Sequence, residues 1–380
     1  MNKFKCSLDK TNCNITDNSF NYPNKKSKKD IQKILNSINN DYSAFNTDPV
    51  INTIFNRNRP RHLIIQKEKI IINKEITNLN DLLQLLNDYP PVSNAEYNID
   101  LFKIHQIKEP LMELNNLIGL HDLKNNILDQ ILFYIQNLHL KNGMDYMHTV
   151  LYGDPGTGKT EVAKIIGKIF SQLGILKNKT FKKVVRSDLI AGYLGQTALK
   201  TTKVIEEALG GVLFIDEAYA LGNPDKKDSF AKECIDTLCE ALSNHKDNLM
   251  IIIAGYEHEL NESFFSFNQG LKSRFPWIFN TNHYTADDLK QIFIKKVGDI
   301  KWKINIDDSD FFHVNYKMFP YYGRDMEILL LKTKIAHGRR VFGLSNDEKT
   351  ILTLKDLEKG LELFKKHTNK KPEQILSMYM

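Results

Sequence analysis

The chain has 380 residues, 42% of them apolar, which is enough for two or three domains with a substantial hydrophobic core. A net charge of +6 is too small to indicate a nucleic-acid-binding protein. Cys6, Cys13, Cys234 and Cys239 match neither a zinc site nor a disulfide framework, which indicates free thiols in a reducing compartment. No signal peptide or membrane span is visible. We therefore expect an intracellular protein without a membrane partner, in the cytoplasm, or in the host cytoplasm if the source is a virus.

The first hundred residues differ in composition from the rest. Residues 1–60 contain thirteen asparagines mixed with lysines, and their low hydrophobicity predicts a mostly disordered tail. A lysine cluster at 25–29 could be a nuclear-localisation or polyanion-binding patch, although a solvated charge run is the simpler interpretation. Residues 61–100 carry a strand-like isoleucine run, a helical leucine pattern and then Pro90 and Pro91, which predict a small accessory module and a linker.

From residue 101 onward, short apolar segments alternate with helical patterns, which is typical of a parallel sheet covered by helices on both faces. The five predicted strands are 149–152, 183–186, 212–215, 249–254 and 277–279. The predicted helices between them are 159–172, 197–208 and 230–244. After Tyr284 the strand pattern stops, and three helical patterns follow at 286–297, 324–340 and 354–366. The sequence thus predicts an α/β core at 101–281 and a C-terminal helical lid at 282–380.

A glycine-rich segment follows the first of these strands and precedes a helix. It reads GDPGTGKT at 153–160 and fits the phosphate-binding pattern GxxxxGK[ST] in the strand–loop–helix context that the motif requires. Backbone N–H groups of such a loop surround phosphates, while Lys159 would neutralise the β and γ oxygens and Thr160 would offer its hydroxyl to Mg²⁺. The predicted nucleotide-binding residues of this loop are Asp154, Pro155, Gly156, Thr157, Gly158, Lys159 and Thr160.

Two carboxylates, Asp216 and Glu217, directly follow the buried strand predicted at 212–215. Ligands of parallel sheets bind at the carboxyl ends of the strands, so both side chains should face the phosphates. We expect Asp216 to orient Mg²⁺ through its water shell and Glu217 to polarise the water that attacks the γ-phosphate. The residues therefore predict an ATPase that uses ATP and Mg²⁺.

Together with the glycine-rich segment at 153–160, five segments resemble AAA+ ATPases of the CbbX and stage V sporulation protein K type, over about residues 108–340, and one of the five contains Asp216 and Glu217. They are LIGL (117–120), GYLGQT (192–197), GGVLFIDEAYAL (210–221), IAGY (253–256) and GLKSRFP (270–276). The resemblance implies a P-loop αβα sandwich with a five-stranded parallel sheet, followed by the helical lid. It also implies a homo-oligomeric ring, expected to be a hexamer.

The resemblance further implies roles for individual residues. Ile118 and Gly119 would pack against adenine, although the pair could also be a simple helix entry. Arg274 looks like an arginine finger that reaches the γ-phosphate of a neighbouring subunit, whereas a lone arginine at a loop end is usually only solvated or salt-bridged. Arg324 resembles the sensor 2 arginine that brings the lid onto the nucleotide.

Tyr193 falls where related unfoldases place the aromatic residue of the first pore loop, between the second strand and the next helix. Gly192 and Gly195 on either side would give the loop flexibility, and the tyrosine stands outside any periodic apolar pattern. The sequence departs from many AAA+ proteins at the sensor 1 position, where Tyr256 replaces asparagine.

These features favour a ring-forming, ATP-driven remodeller of a protein client. The alternative is an AAA+ ATPase that acts on nucleic acid, as a replication or loader protein, but residues 101–380 carry no concentrated basic stripe and no hairpin-like insertion after Asp216. A scaffold without turnover is a third possibility, yet Lys159, Asp216, Glu217 and Arg274 are all present. Nothing in the sequence indicates Rubisco as the client.

Overall fold

The computed structural model describes residues 68–368, except 93, 141–144, 194, 223–227, 282–283, 307–309 and 346–347. The disordered tail and the lysine cluster predicted in residues 1–60 lie outside the described residues. Among the helices of the described ranges, none is long and apolar enough to cross a membrane.

Residues 68–115 form a small layer of strands and helices. Strands β1 (Glu68–Ile70) and β2 (Ala95–Tyr97) pair in parallel, although β2 lies in the stretch predicted as a linker. The helices of this layer are α1 (Leu79–Asp88), α2 (Leu101–Gln106) and α3 (Lys108–Asn115). Their buried leucines belong to the same hydrophobic cluster as one face of the main sheet, so the layer packs directly on the core.

The main sheet has five parallel strands. They are β3 (Thr149–Tyr152), β4 (Phe181–Val184), β5 (Val212–Ile215), β6 (Met250–Gly255) and β7 (Trp277–Asn280). Their spatial order is β4-β5-β6-β3-β7, with all pairs parallel. This confirms the predicted sheet, with β4 beginning and ending two residues earlier than predicted.

Helices cover both faces of this sheet because alternate strand residues point to opposite sides. Leu151, Phe214 and Ile252 belong to one hydrophobic cluster, and Val150, Leu213 and Ile253 belong to the other. The core helices are α4 (His121–Ile135), α5 (Lys159–Gln172), α6 (Arg186–Leu189), α7 (Thr197–Ala208), α8 (Ser229–Asn244), α9 (Glu257–Glu259) and α10 (Gln269–Arg274). A 3₁₀ turn at Ala218–Leu221 follows β5, and a π-helical segment at Leu260–Phe265 follows α9.

The C-terminal lid is helical, as predicted, but the expectation that strands stop after Tyr284 was wrong. Strands β8 (Lys303–Asn305) and β9 (Ile351–Thr353) form a small parallel sheet beside α11 (Ala286–Asp299), α12 (Phe311–Asn315), α13 (Tyr322–Arg340) and α14 (Leu354–Thr368). Three-residue strands are too short to show the two-residue alternation by which strands are recognised.

A buried carboxylate joins the two long lid helices. Asp356, in the first turn of α14, accepts hydrogen bonds from Arg340 Nε at 2.9 Å and from Thr353 N at 3.0 Å. Burial alone would raise the pKa of Asp356, but the hydrogen bonds from Arg340 and Thr353 outweigh it and hold the pKa well below its usual range. The Asp356 carboxylate therefore stays ionised at neutral pH and links helices α13 and α14 of the lid.

A second buried polar residue, His148, lies just before β3. Its Nε2–H donates to the Leu242 carbonyl at 3.0 Å, and its Nδ1 accepts from the Ile251 N–H at 3.1 Å. These two bonds require the neutral ring, and burial lowers the pKa of His148 to about 4.

We expect His148 to make the protein less stable in mild acid. Because its folded pKa lies below the ordinary 6.5, the unfolded chain binds the extra proton, and stability falls as pH drops from 6.5 toward 4. The expected loss from this residue is about 2 kcal/mol at pH 5. Urea unfolding of wild type and His148→Gln between pH 7 and pH 4.5 measures it, since glutamine can bond but not titrate. Equal pH slopes for the two proteins would contradict the prediction.

Candidate active site

A cavity of about 380 Å³ opens at the carboxyl edge of the main sheet, between the glycine-rich loop, the ends of β5 and β6, and the lid helix α13. Parallel sheets bind ligands at this edge. The cavity brings together these predicted site residues: Pro155, Gly156, Gly158, Lys159, Thr160, Asp216, Glu217 and Arg324. The side chains predicted to hold the phosphates, the metal and the attacking water therefore face one space.

The glycine-rich loop is shaped by its own backbone. Gly158, with φ of 85°, turns the chain into α5, so the first N–H groups of that helix point at the cavity. Lys159 Nζ donates to the carbonyls of Gly153 and Asp154, at 2.7 Å each, and burial lowers the pKa of Lys159 despite the nearby Asp216. A half-buried ammonium whose hydrogen bonds go to neutral carbonyls favours an arriving phosphate oxygen.

Two residues of the loop lie differently from the others. Thr157 is buried, and its hydroxyl donates to the Asp154 carbonyl at 2.7 Å and contacts the Thr281 hydroxyl, so its side chain fixes the loop from behind. Asp154 lines a separate cavity with Tyr256, at the side of the loop. Only the backbone of these two residues is therefore available to phosphate.

The cavity also contains the oxygen donors that magnesium prefers. Thr160 and Asp216 both line it, and the described residues contain no cluster of three His, Cys, Asp or Glu side chains that could hold a metal without the nucleotide. Asp216 Oδ2 lies 2.7 Å from the ammonium of Lys183, on β4, a contact that the sequence did not predict. The donor set fits a Mg²⁺ ion that is shared between protein and phosphate.

Glu217 has an unusual backbone. Its φ is 51°, in the left-handed region that few residues other than glycine adopt, and its side chain is exposed toward the cavity. A conformation of this kind costs about 1–3 kcal/mol and is found mainly at functional sites. The strain aims a carboxylate at the open end of the site.

A second cavity of about 210 Å³ adjoins the first and shares Gly156, Gly158 and Lys296 with it. Its walls are mostly apolar and include Leu117, Ile118, Leu120, Val162, Tyr284 and Ile292. A mostly apolar pocket beside a phosphate site fits a purine base. The structure places Ile118 in this pocket, whereas Gly119 lies outside its lining and approaches the Asp288 carboxylate instead.

The lid contacts the glycine-rich loop directly. The Gly323 N–H donates to the Gly156 carbonyl at 3.2 Å, and Arg324, the next residue, lines the main cavity. Lys296 of α11 and Glu327 of α13 also line the cavity and form an ion pair at 2.7 Å. Sequence reasoning missed this pair, because neither residue belongs to a motif.

We expect Gly156→Ala to weaken nucleotide binding by displacing the lid. Gly156 has φ of 80°, and an added Cβ would lie 2.4 Å from the Tyr321 carbonyl and 2.8 Å from the Arg324 nitrogen. Gly174→Ala is the matched control, since Gly174 has φ of 73° but nothing within 4 Å. Both variants should lose about 1–2 kcal/mol of stability from backbone strain, and only Gly156→Ala should lose ATP affinity, by about ten-fold or more. Equal affinities by fluorescent-nucleotide titration would contradict this.

The sensor 1 position is occupied by a tyrosine that does face the site. Tyr256 lines the main cavity, and its ring lies 5.7 Å from that of Tyr219, with a tilt of 41°. Burial raises the pKa of both hydroxyls, with nearby carboxylates acting in the same direction, so both remain protonated donors. Tyr219 was not predicted, although it stands two residues after Glu217.

Two predicted residues lie away from both cavities. Arg274 ends α10, where its Nε donates to the Ser243 hydroxyl at 2.7 Å and its guanidinium to the Gly270 carbonyl at 2.6 Å. Tyr193 lies on the loop between α6 and α7, and the residue is 74% exposed. Neither residue lines the cavity that brings the glycine-rich loop, Asp216 and Glu217 together, nor the adjoining apolar cavity.

Comparison with known proteins agrees with this geometry. The sequence model of the AAA family, the ATPases associated with various cellular activities, matches residues 149–291. The putative cfxQ-like protein R730 of Acanthamoeba polyphaga mimivirus is 39% identical over 273 residues, which cover 70% of this chain and 67% of that protein. Stage V sporulation protein K of Bacillus subtilis is 36% identical over 222 residues, covering 56% of this chain and 68% of that protein.

A third relative and one solved structure extend the comparison. The chloroplastic ribulose bisphosphate carboxylase/oxygenase activase of Cyanidioschyzon merolae is 40% identical over 210 residues, covering 53% of this chain and 71% of that protein. The crystal structure of the FIGL-1 AAA domain in complex with ADP superposes with a TM-score of 0.51 at 17% identity, over 69% of this chain and 87% of that one. At that identity the likeness shows the fold alone.

The chain therefore belongs to the AAA ATPase family, in the branch of the CfxQ-like proteins and stage V sporulation protein K. As a member of that family it binds ATP and hydrolyses it to ADP and phosphate. The predicted fold, family and ATPase activity are confirmed.

Proposed function

We propose that this ATPase remodels a protein client, working as a homo-oligomeric ring whose pore is lined by Tyr193. The observation that carries the proposal is the position of Tyr193, an exposed aromatic residue on the loop between α6 and α7, two helices of the core that pack on the sheet. Tyrosine is enriched among the residues that dominate protein–protein contacts, so a tyrosine exposed on this loop is a candidate contact for another polypeptide. Membership of the family shows the ATPase activity, and the loop that carries Tyr193 is the proposed contact with the client polypeptide.

The residues of the cavity can carry out hydrolysis without a covalent intermediate. Lys159 and the N–H groups at the start of α5 would hold the β- and γ-phosphates, and Thr160 and Asp216 would hold the Mg²⁺ that accompanies ATP. Glu217 accepts a proton from the water molecule whose oxygen attacks the γ-phosphorus. The bond between the γ-phosphorus and the oxygen that leaves with ADP then breaks. Arg324 keeps the lid in place, and the apolar pocket around Ile118 keeps the adenine base in place.

The position of Arg274 supports the proposal that a second subunit completes the site. Its guanidinium lies outside the cavity and is held by Ser243 and Gly270, so it is presented at a fixed place on the surface of the core. A cation that cannot reach its own site can still stabilise the γ-phosphate of a neighbour. We infer a ring, with six subunits as the expected number.

The client is a polypeptide, and its identity is left open. One relative is named as an activase of ribulose bisphosphate carboxylase/oxygenase. Nothing in the described residues points to the same client here.

We propose that residues 1–60 are a tail, 61–100 an accessory module, 101–281 the ATPase core and 282–380 the lid.

We expect Tyr193→Ala to abolish the response of the ATPase to polypeptide. Loss of the aromatic contact should weaken capture of β-casein, used as an unfolded probe, by about ten-fold or more. Casein-stimulated ATPase and photo-crosslinking from the loop measure the effect. Tyr193→Phe keeps the aromatic side chain, so its ATPase should still respond to casein. Phe342→Ala, at an exposed aromatic residue of the lid, is the control. Stimulation by duplex DNA but not by casein would instead support the nucleic-acid alternative.

A further inference from the structure

The loop that carries Tyr193 is closed at its base. Lys200 of α7 reaches back across it, and its ammonium donates to the carbonyls of Ser187 and Ile190, at 2.6 and 3.0 Å. Ala191 N–H donates to the Thr197 hydroxyl at 3.2 Å. The start and the end of the loop are therefore tied together, so that its base moves as one piece.

Arg186, the first residue of α6, connects this base to the other side of the sheet edge. Its guanidinium donates to the carbonyls of Ala220 and Leu221, at 2.6 and 3.2 Å, and to Asp228 Oδ2 at 2.6 Å. A planar guanidinium suits three acceptors in fixed positions, whereas an ammonium does not. The arginine thus joins three separate stretches of the chain.

The stretch on the far side of Arg186 carries the proposed catalytic base. Ala220 and Leu221 belong to the 3₁₀ turn that begins one residue after Glu217, and the Leu221 side chain is fully buried. A shift of this turn cannot occur without changing the backbone of Glu217, which already has a strained φ of 51°.

Helix α8 supports both ends of the same connection. Asp228 Oδ1 caps α8 by accepting from the N–H groups of Phe230 and Ala231, which leaves Oδ2 for Arg186. Farther along α8, Glu233 accepts from the Ala198 N–H at 3.1 Å, at the end of the Tyr193 loop. The loop is thus braced at both ends on one helix, and Arg186 ties that frame to the turn after Glu217.

We propose that Arg186 is a positioning residue that couples the Tyr193 loop to the segment carrying Glu217, so that the nucleotide state sets the position of the loop and polypeptide on the loop alters hydrolysis. The second half rests on the polypeptide-gripping role proposed above. The first half does not, since it concerns only the chain and its nucleotide. The contacts of the guanidinium with the carbonyls and with Asp228 carry both halves.

Hydrogen exchange of the loop amides at 190–193 and 195–197 tests the coupling without a client. Wild-type protein is compared in Mg²⁺ with ATPγS and with ADP, and the exchange rates should differ by about five-fold or more between the two states, as for a typical coupled pair of sites. Arg186→Lys keeps the positive charge but loses the planar set of guanidinium donors. In this variant the difference in loop exchange between the two nucleotides should fall below about two-fold. Exchange in β3 and α4 reports whether the variant is folded.

A second variant guards against a general loosening of the core. Asp228→Asn can keep the α8 cap through its amide oxygen while it loses the ion pair with Arg186, and it should reduce the nucleotide-dependent difference in the same direction. Arg339→Lys, at an exposed arginine of the lid, is the matched control and should keep the wild-type difference.

Two results would overturn the proposal. One is a wild-type loop whose exchange is the same in both nucleotides. The other is an Arg186→Lys protein that keeps the full difference. If the coupling is present but casein neither binds nor stimulates the wild-type ATPase, the remodelling function fails while the role of Arg186 stands, so that the two proposals are separated.

Discussion

Glu217→Gln is expected to lower kcat for ATP hydrolysis by about 10²–10⁴-fold, the usual contribution of a general base. Glutamine has nearly the same shape, so it should fit the strained backbone position, but its amide cannot accept the proton of the attacking water. ATP binding should persist, because Lys159, Thr160 and the pocket around Ile118 are unchanged. Steady-state phosphate release and nucleotide titration separate the two effects.

The matched control for this variant is Glu161→Gln. Glu161 also lines the main cavity, but its carboxylate is paired with Lys164 at 2.8 Å on the exposed side of α5. We expect its kcat to stay within about three-fold of wild type, as for a surface ion pair. Equal losses in both variants would show that the cavity needs negative charge in general and would remove the special role of Glu217.

Arg274→Ala is expected to lower kcat by about 10³-fold or more, the range typical of arginine fingers. The physical reason is the loss of positive charge at the γ-phosphate of the neighbouring subunit, where charge develops in the transition state. The loss should appear in assembled protein and not in ATP affinity. Lys272→Ala, at an exposed cation on the same helix, is the control and should be close to wild type.

Mixing two inactive proteins tests whether Arg274 acts across an interface. Arg274→Ala subunits retain Glu217, and Glu217→Gln subunits retain Arg274, so a mixed ring contains some complete sites. Activity should therefore return on mixing, to a fraction of wild type. If the mixture stays inactive although both variants assemble, or if Arg274→Ala is fully active, Arg274 does not act in trans.

The sequence was sufficient for the parts of the site that depend on local chemistry. The glycine-rich loop and the pair Asp216 and Glu217 each lie in one short segment next to a recognisable strand, and the structure places them around one cavity. The five strands could be predicted for the same reason, since buried parallel strands appear as short apolar runs. Boundaries were less certain, as the two-residue displacement of β4 shows.

What the sequence could not reveal depends on residues that are far apart in the chain. The ion pairs Lys183–Asp216 and Lys296–Glu327 join ordinary lysines on a strand and a helix to carboxylates on other elements. Only the packing of the sheet and of the lid brings them to the cavity. Strand β2 was missed because a three-residue pair of strands within a polar stretch gives no apolar alternation.

The left-handed backbone of Glu217 lowers the stability of the protein, while its carboxylate is needed for ATP turnover. Glycine at this position would adopt φ of 51° without steric cost, so Glu217→Gly would relieve this strain of about 1–3 kcal/mol while it removes the catalytic carboxylate. A laboratory evolution experiment that rewards heat resistance alone would therefore tend to enrich inactive proteins at this position. Only a selection that also requires ATP turnover would keep the carboxylate, which makes position 217 a useful indicator of what such a selection is measuring.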